Sequence, residues 1–129
     1  NRTTLVFRRL PKNVTRISLL EMLDTAGWKG LYDFVYLPMD FKKGKVFGYA
    51  IVNFISNSSA EHASAHFEGA GANVDWSDSH QGLQELIQRY RDSPIMHASM
   101  PEISKPIIFS QGVVTAFPRP TKQIKAPRN

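Results

Sequence analysis

Strand and helix signals alternate in a fixed order over the first 76 residues, and this order constrains the fold more than any other feature. Apolar alternation with a period of two predicts strands, and apolar spacing of three and four predicts helices. Strands are predicted at 3–10, 32–37, 47–55 and 72–76, and helices at 16–26 and 60–67. The order β-α-β-β-α-β is that of an α+β sandwich in which a four-stranded antiparallel sheet carries two helices on one face.

The sequence after residue 78 differs in character from the part before it. An amphipathic pattern predicts a third helix at 81–91, and the prolines beyond Pro94 exclude a long regular element. We therefore expect an extended arm that packs through its apolar stretches and loosens after Pro118. The predicted organisation is a sandwich at 1–78, a helix with a packed extension at 79–117, and a basic, proline-containing tail at 118–129.

The composition excludes several classes of protein. The chain has no cysteine, so it cannot hold a disulfide framework, a thiolate metal site or a cysteine nucleophile. His62 and His66 are four residues apart, but no third metal ligand is apparent near them, and we predict no metal and no cofactor. The sequence shows no signal peptide and no apolar run long enough to span a membrane, so we expect an intracellular protein without membrane contact.

Basic residues are concentrated at the two ends of the chain. Residues 1–16 and 103–129 each carry five Lys or Arg and no acid, whereas the residues between them carry all eleven acids. The net charge is +5 at pH 7. Basic ends on a mildly acidic body favour contact with a polyanion such as RNA, although basic ends also serve solubility alone.

The predicted third strand contains a motif that is typical of RNA-binding βαββαβ domains. Residues 47–54 read F-G-Y-A-I-V-N-F and match the aromatic and aliphatic octamer of these domains at five positions. Strand alternation places Phe47, Tyr49, Ile51 and Asn53 on the open face of the sheet, where Tyr49 offers a ring on which a base can stack. The fold class predicted is therefore that of the RNA-recognition motif, a ferredoxin-like sandwich.

Aliphatic residues occupy two of the usual stacking positions, because Val6 and Ile51 stand where aromatic residues are common. Phe34 and Tyr36 on the neighbouring strand offer a replacement, since alternation also points them outward. They would form one aromatic patch with Phe47 and Tyr49. The competing interpretation is that the helix at 81–91, the arm or a protein partner covers this patch as a second core.

A long stretch of the chain resembles a known family. The runs GLYDFVYLPMDF (30–41) and VFGYAIVNF (46–54) closely resemble the C-terminal RNA-recognition motif of the Mei-two-like meiosis regulators. The segments QGLQELIQRYRDSPIMH (81–97) and KPIIF (105–109) resemble the extension that follows this motif in the family. The resemblance implies a module that binds single-stranded RNA, with base stacking on Tyr49.

Two functions remain open, and neither is enzymatic, because no nucleophile, base and orienting group fall together. The first is a domain that binds single-stranded RNA on the open sheet face. The second is a degenerate motif that serves as a protein-interaction or structural subunit of a ribonucleoprotein; neither requires a small-molecule substrate. The residues predicted to contact RNA are Tyr49, Tyr36, Phe34, Phe47, Arg8, Lys45, Lys43, Asn53, Lys122 and Lys125.

Overall fold

The chain forms a central antiparallel sheet with helices on both of its faces. The structure is a computed structural model that describes residues 1–128. The strands are β1 (Thr4–Arg8), β2 (Tyr32–Tyr36), β3 (Met39–Asp40), β4 (Lys45–Val46), β5 (Ala50–Phe54), β6 (Asn73–Trp76), β7 (Ile107–Ser110) and β8 (Val113–Thr115). The helices are α1 (Arg16–Thr25), α2 (Asn57–Gly69) and α3 (Leu83–Tyr90), and short 3-10 turns lie at Pro94–Met96 and Glu102–Ser104.

The order of the first six predicted elements is confirmed, and local chemistry explains where they begin. Thr15 is the N-cap of α1, as predicted, and its side chain accepts a hydrogen bond from the Ser18 amide. The helix α2 starts earlier than predicted because Ser56 caps it in the same way. The third predicted strand starts later, at Ala50, because Gly48 adopts a φ of 91° and its carbonyl oxygen accepts a hydrogen bond from the Leu10 amide instead.

The main sheet has six strands in the order β6-β1-β5-β2-β7-β8. Its first four members are the predicted four-stranded sheet, and the last two come from the segment in which we expected an extended arm. That expectation was incomplete, because 107–115 forms a hairpin that pairs with the free edge of β2. The turn residues Gln111 and Gly112 both have positive φ, the combination that suits the twist of a two-residue hairpin. The strands β3 and β4 form a separate two-stranded sheet.

The principal core lies between the sheet and helices α1 and α2. Its large side chains are fully or almost fully buried, and the ring of Phe7 meets that of Phe67 edge to face with centroids 5.4 Å apart. The residues that fill this layer alternate along the strands with those of the opposite face, as the period-two pattern requires. They include Leu5, Phe7, Leu19, Leu23, Val35, Val52, Phe54 and Phe67.

The third helix packs on the opposite face of the sheet and forms a second, smaller core. Leu86 is 1% exposed and contacts a cluster that contains Phe34, Tyr36 and Ile108. The rings of Phe34 and Tyr90 stack with centroids 5.9 Å apart. The helix therefore lies over the β2 and β7 side of the sheet. This arrangement is the one that the competing interpretation of the aromatic patch described.

A polar network fixes the start of α3 to the N-terminal end of β1. The amide oxygen of Gln81 accepts hydrogen bonds from the Thr3 and Thr4 amides at 2.8 and 2.9 Å. Its amide nitrogen donates to the carbonyl oxygens of Thr4 and Ser77, both at 3.0 Å. The Gly82 amide donates to the Thr4 hydroxyl. One glutamine side chain thus pairs four backbone groups where the chain turns onto the outer face of the sheet.

The basic tail is held against the domain beyond the point where we expected it to loosen. The guanidinium of Arg91 donates to the carbonyl oxygen of Arg119, and the carboxylate of Asp92 accepts hydrogen bonds from Thr121. The expectation of a loose tail from Pro118 is therefore wrong through Thr121, because the side chains of Arg91 and Asp92, which directly follow α3, bind this part of the tail. The last residue of the predicted tail, Asn129, lies outside the described residues. Across 1–128, each helix is too short or too polar to cross a membrane.

The Gln81 network leads to a prediction on stability. Replacing Gln81 by Ala removes four hydrogen bonds to backbone groups, of which the Thr4 carbonyl oxygen alone keeps a second bond, from the Ser77 amide. We expect the free energy of unfolding to fall by about 1–3 kcal/mol. Urea unfolding measures this loss. The control is Gln84→Ala, the same substitution at an exposed position of α3, which should change stability by less than about 0.5 kcal/mol. Equal stability of the two variants would contradict the structural role of Gln81.

Candidate nucleic-acid interface

The third helix divides the outer face of the sheet into a covered half and an open half. On the covered half, Phe34 is 0% exposed and Tyr36 is 9% exposed. Both side chains point to the predicted face, but Leu86 and Tyr90 of α3 cover them. The expectation that they belong to an exposed aromatic patch is therefore wrong. The physical reason is that the amphipathic helix has its own apolar face to bury, and these rings are what it packs against.

Asn53 also points to the outer face without being accessible. It is 2% exposed, and its side-chain oxygen accepts hydrogen bonds from the hydroxyls of Thr3 and Thr4, both at 2.7 Å. Its nitrogen donates to the Asp33 carboxylate at 2.8 Å. The pKa of Asp33 is raised because burial disfavours its charged form, although the bond from Asn53 opposes this. The expectation that Asn53 is open to a ligand is therefore wrong, because its amide satisfies buried partners.

The open half of the face is a cleft of about 480 Å³ between β1, β5, the loop that follows β6, and α3. Tyr49 is 36% exposed and lies in this cleft with Arg8, which is the arrangement that the sequence predicted for these two residues. The floor of the cleft is apolar and its rim is polar. Its lining residues are Val6, Arg8, Tyr49, Ile51, Ser77, Asp78, Ser79, His80, Arg89 and Tyr90.

Two arginines, Arg8 and Arg89, line the cleft together with one acid, Asp78. The guanidinium of Arg8 pairs with the carboxylate of Asp75 at 3.5 Å, and both side chains remain substantially exposed. Exposed ion pairs of this kind are weak, so Arg8 can exchange this partner for a phosphate. Arg89 lies over the ring of Tyr90 at 5.0 Å from the centroid. A flat ring beside a guanidinium is a surface on which an unpaired base can stack.

The other predicted RNA contacts are exposed but lie outside this cleft. Phe47 is 64% exposed and precedes β5, where its amide donates to the carbonyl of Pro38. Lys43 and Lys45 lie on the β3–β4 hairpin, and Lys45 is paired in register with Asp40. Lys122 and Lys125 lie in the tail, and Lys122 contributes to the low pKa of Asp92, whose main cause is the hydrogen bond from Thr121. The structure therefore brings Tyr49 and Arg8 together and leaves the remaining accessible residues at separate places.

Sequence reasoning missed the residues that close the cleft on the side of α3. The apolar periodicity of 81–91 identified the helix and placed Tyr90 on its buried face, but it did not show which surface the helix covers. The role of Arg89 follows from that docking alone, since until the helix is placed it is simply one of the two exposed charged residues of α3. The residues 77–80 carried no signal in the sequence beyond that of a polar loop.

The burial of Tyr36 leads to a prediction that optical titration can test. Desolvation under α3, with a smaller contribution from Tyr90, raises the pKa of Tyr36 to about 12 from its usual value of 10.0. Because the neutral phenol is the favoured form, its contribution to stability is complete below about pH 10 and is lost as the pH rises through about 12. Tyr36→Phe should remove a tyrosinate that forms near pH 12. Loss of a phenol that titrates near 10 instead would show that α3 does not cover this ring.

Comparison with known proteins supports a single assignment. Residues 2–85 match the family described as RNA recognition motif 2. The chain is 30% identical to the meiosis protein mei2 of Schizosaccharomyces pombe, over 92% of the chain and 17% of that protein. It is 32% identical to Protein MEI2-like 4 of Arabidopsis thaliana, over 84% of the chain and 13% of that protein. The chain thus spans less than a fifth of the length of these relatives.

The fold comparison agrees with the sequence comparison. The solved structure of the Rna15 RRM with bound RNA (GU) aligns with a TM-score of 0.55 and 15% identity, over 69% of this chain and 97% of that one. This likeness confirms the predicted fold class. The similarity to mei2 and its relatives confirms the resemblance to the Mei-two-like regulators, and the chain belongs to the RNA recognition motif 2 family.

Proposed function

We propose that this domain binds single-stranded RNA in the cleft on the open half of its sheet. The observation that carries the proposal is the position of Tyr49, which is 36% exposed and lines the same cleft as Arg8. A ring of this kind accepts any base by stacking, and a nearby cation neutralises the phosphate that comes with it. The solved relative of this fold that contains bound RNA (GU) adds support to the choice of ligand.

The covered half of the sheet restricts where the RNA lies. Because Phe34 and Tyr36 are under α3, the proposed stacking positions are Tyr49 and the exposed part of Tyr90. The phosphates would then meet Arg8 and Arg89 at the rim. Lys43, Lys45, Lys122 and Lys125 extend the basic surface beyond the cleft and serve as further phosphate contacts in this proposal.

The alternative function, a protein-interaction module, loses part of its support in this structure. A peptide that binds Phe34 and Tyr36 would have to displace α3, which holds those rings through Leu86 and Tyr90. Displacement would return four apolar side chains of the helix to water, at a cost of about 1.5–3 kcal/mol for each one fully exposed. The proposal therefore assigns the outer face to RNA and the covered aromatic rings to the core.

The first test of this proposal is the substitution Tyr49→Ala. We expect the affinity for a random pool of single-stranded RNA to fall by about 1–3 kcal/mol, because one stacked base is lost. Fluorescence anisotropy at near-physiological salt measures this change. Tyr36→Phe is the control, since the buried ring stays in place, and it should bind within about twofold of the wild type. Wild-type affinity of Tyr49→Ala would contradict stacking in the cleft.

The second test concerns the charge contributed by α3. Arg89→Ala should weaken RNA binding and reduce the slope of log K against log salt by about 0.7, the value for one phosphate contact in single strands. The control is Lys29→Ala, which removes an exposed positive charge from the loop between α1 and β2. It should leave the slope unchanged. An identical slope for the wild type and the Arg89 variant would exclude a phosphate contact by this arginine.

A further inference from the structure

An apolar groove lies between α1 and α2, on the face of the molecule away from the cleft. It has a volume of about 540 Å³, and it is lined by Met22 of α1, Phe67 of α2 and the C-cap residues of the two helices, Ala26 and Ala70. Ala72, which precedes β6, closes one end. The groove is open to solvent at Met22, Ala26 and Ala70, which are partly or largely exposed, whereas Phe67 at its bottom is 4% exposed. No element within residues 1–128 covers it.

A pair of packed aromatic rings holds the α2 side of this groove in place. The imidazole of His66, which lines the groove, packs against the indole of Trp28 with centroids 5.2 Å apart. Trp28 also contacts Phe67, and its indole nitrogen donates to the carbonyl of Ser59 at 3.3 Å. The groove is therefore formed by side chains that are already packed, and a ligand would not have to order them.

The charge around the groove is opposite to that of the rest of the molecule. The two helices carry four acids, Glu21, Asp24, Glu61 and Glu68, in a chain whose net charge is +5. Their single Lys or Arg is Arg16, whose guanidinium is turned away to the carbonyl oxygens of Glu102 and Lys105. Glu21 lines the groove and Glu68 follows Phe67, and among the described residues neither makes an ion pair.

We propose that the α1–α2 groove binds a basic, amphipathic segment of a protein partner. Apolar side chains of that segment would pack on Met22, Ala26 and Ala70, and its Lys or Arg side chains would meet Glu21 and Glu68. Charge selects this class of partner, since an acidic rim repels nucleic acid and attracts a basic peptide. Because the sheet separates this groove from the cleft, the partner and RNA occupy opposite faces of the domain.

The test is a titration followed by two-dimensional NMR of the backbone amides, with the domain free of RNA. The probe is a synthetic peptide of Leu and Lys at helical spacing, and its counterpart carries Glu in place of Lys. We expect saturable shifts confined to 18–26 and 66–72 with the Lys peptide, and none with the Glu peptide. Shifts spread over the surface, or centred on another face, would overturn the proposal. The absence of RNA makes this result independent of the proposed function.

Charge variants decide whether the groove itself is the site. The variant Glu21→Lys, which reverses the acid that lines the groove, should weaken binding of the Lys peptide at least tenfold. The matched control is Glu61→Lys, an exposed acid of α2 outside the groove, which should bind within about twofold of the wild type. Equal losses of affinity in the two variants would show that the peptide responds to net charge alone, and this would overturn the proposed site. Concentration-dependent shifts of the same residues without peptide would identify a second copy as the occupant, which also overturns the proposal.

Discussion

The packing of α3 on Phe34 and Tyr36 is the contact on which the rest of this structure depends. As a result, one face of the sheet is covered by α1 and α2, and the other face is covered in part by α3. Burial of Leu86 and its neighbours stabilises the helix, which is too short at eight residues to be stable alone. The same contact fixes Ile108, and through it the hairpin that extends the sheet. What remains of the outer face is the cleft around Tyr49.

Buried polar groups explain why α3 lies where it does. The outer face near Thr4 and Asn53 is polar, and every side-chain polar atom buried there has a hydrogen-bond partner within the described residues. Gln81 forms hydrogen bonds with the backbone groups that remain at the N-terminal end of β1. An unpaired group at such a position costs about 1–3 kcal/mol, so the network permits one register of the helix on the sheet and penalises the others.

Periodicity made the layers of this fold predictable, whereas the docking of its extension was not. The alternation of residues 47–54 placed Tyr49 on the outer face correctly, and Thr15 marked the start of α1 because capping is a local interaction. Burial of Tyr36 depends instead on a contact with residue 86, which no local pattern encodes. Asn53 shows the same limit, since its hydrogen bonds to Thr4 and Asp33 are visible only after three strands are placed side by side.

The turn at Gln111 and Gly112 has a consequence for how this sheet meets other chains. By folding β8 back on β7, it moves the free edge of the sheet from a strand rich in buried apolar residues to one of three residues. That outer strand exposes Val113 and Val114, which by composition would favour pairing with another strand. Pro118 follows shortly after it and has no amide hydrogen to donate. On this side the sheet therefore ends in a strand too short to template growth, and this protects the domain from edge-to-edge aggregation.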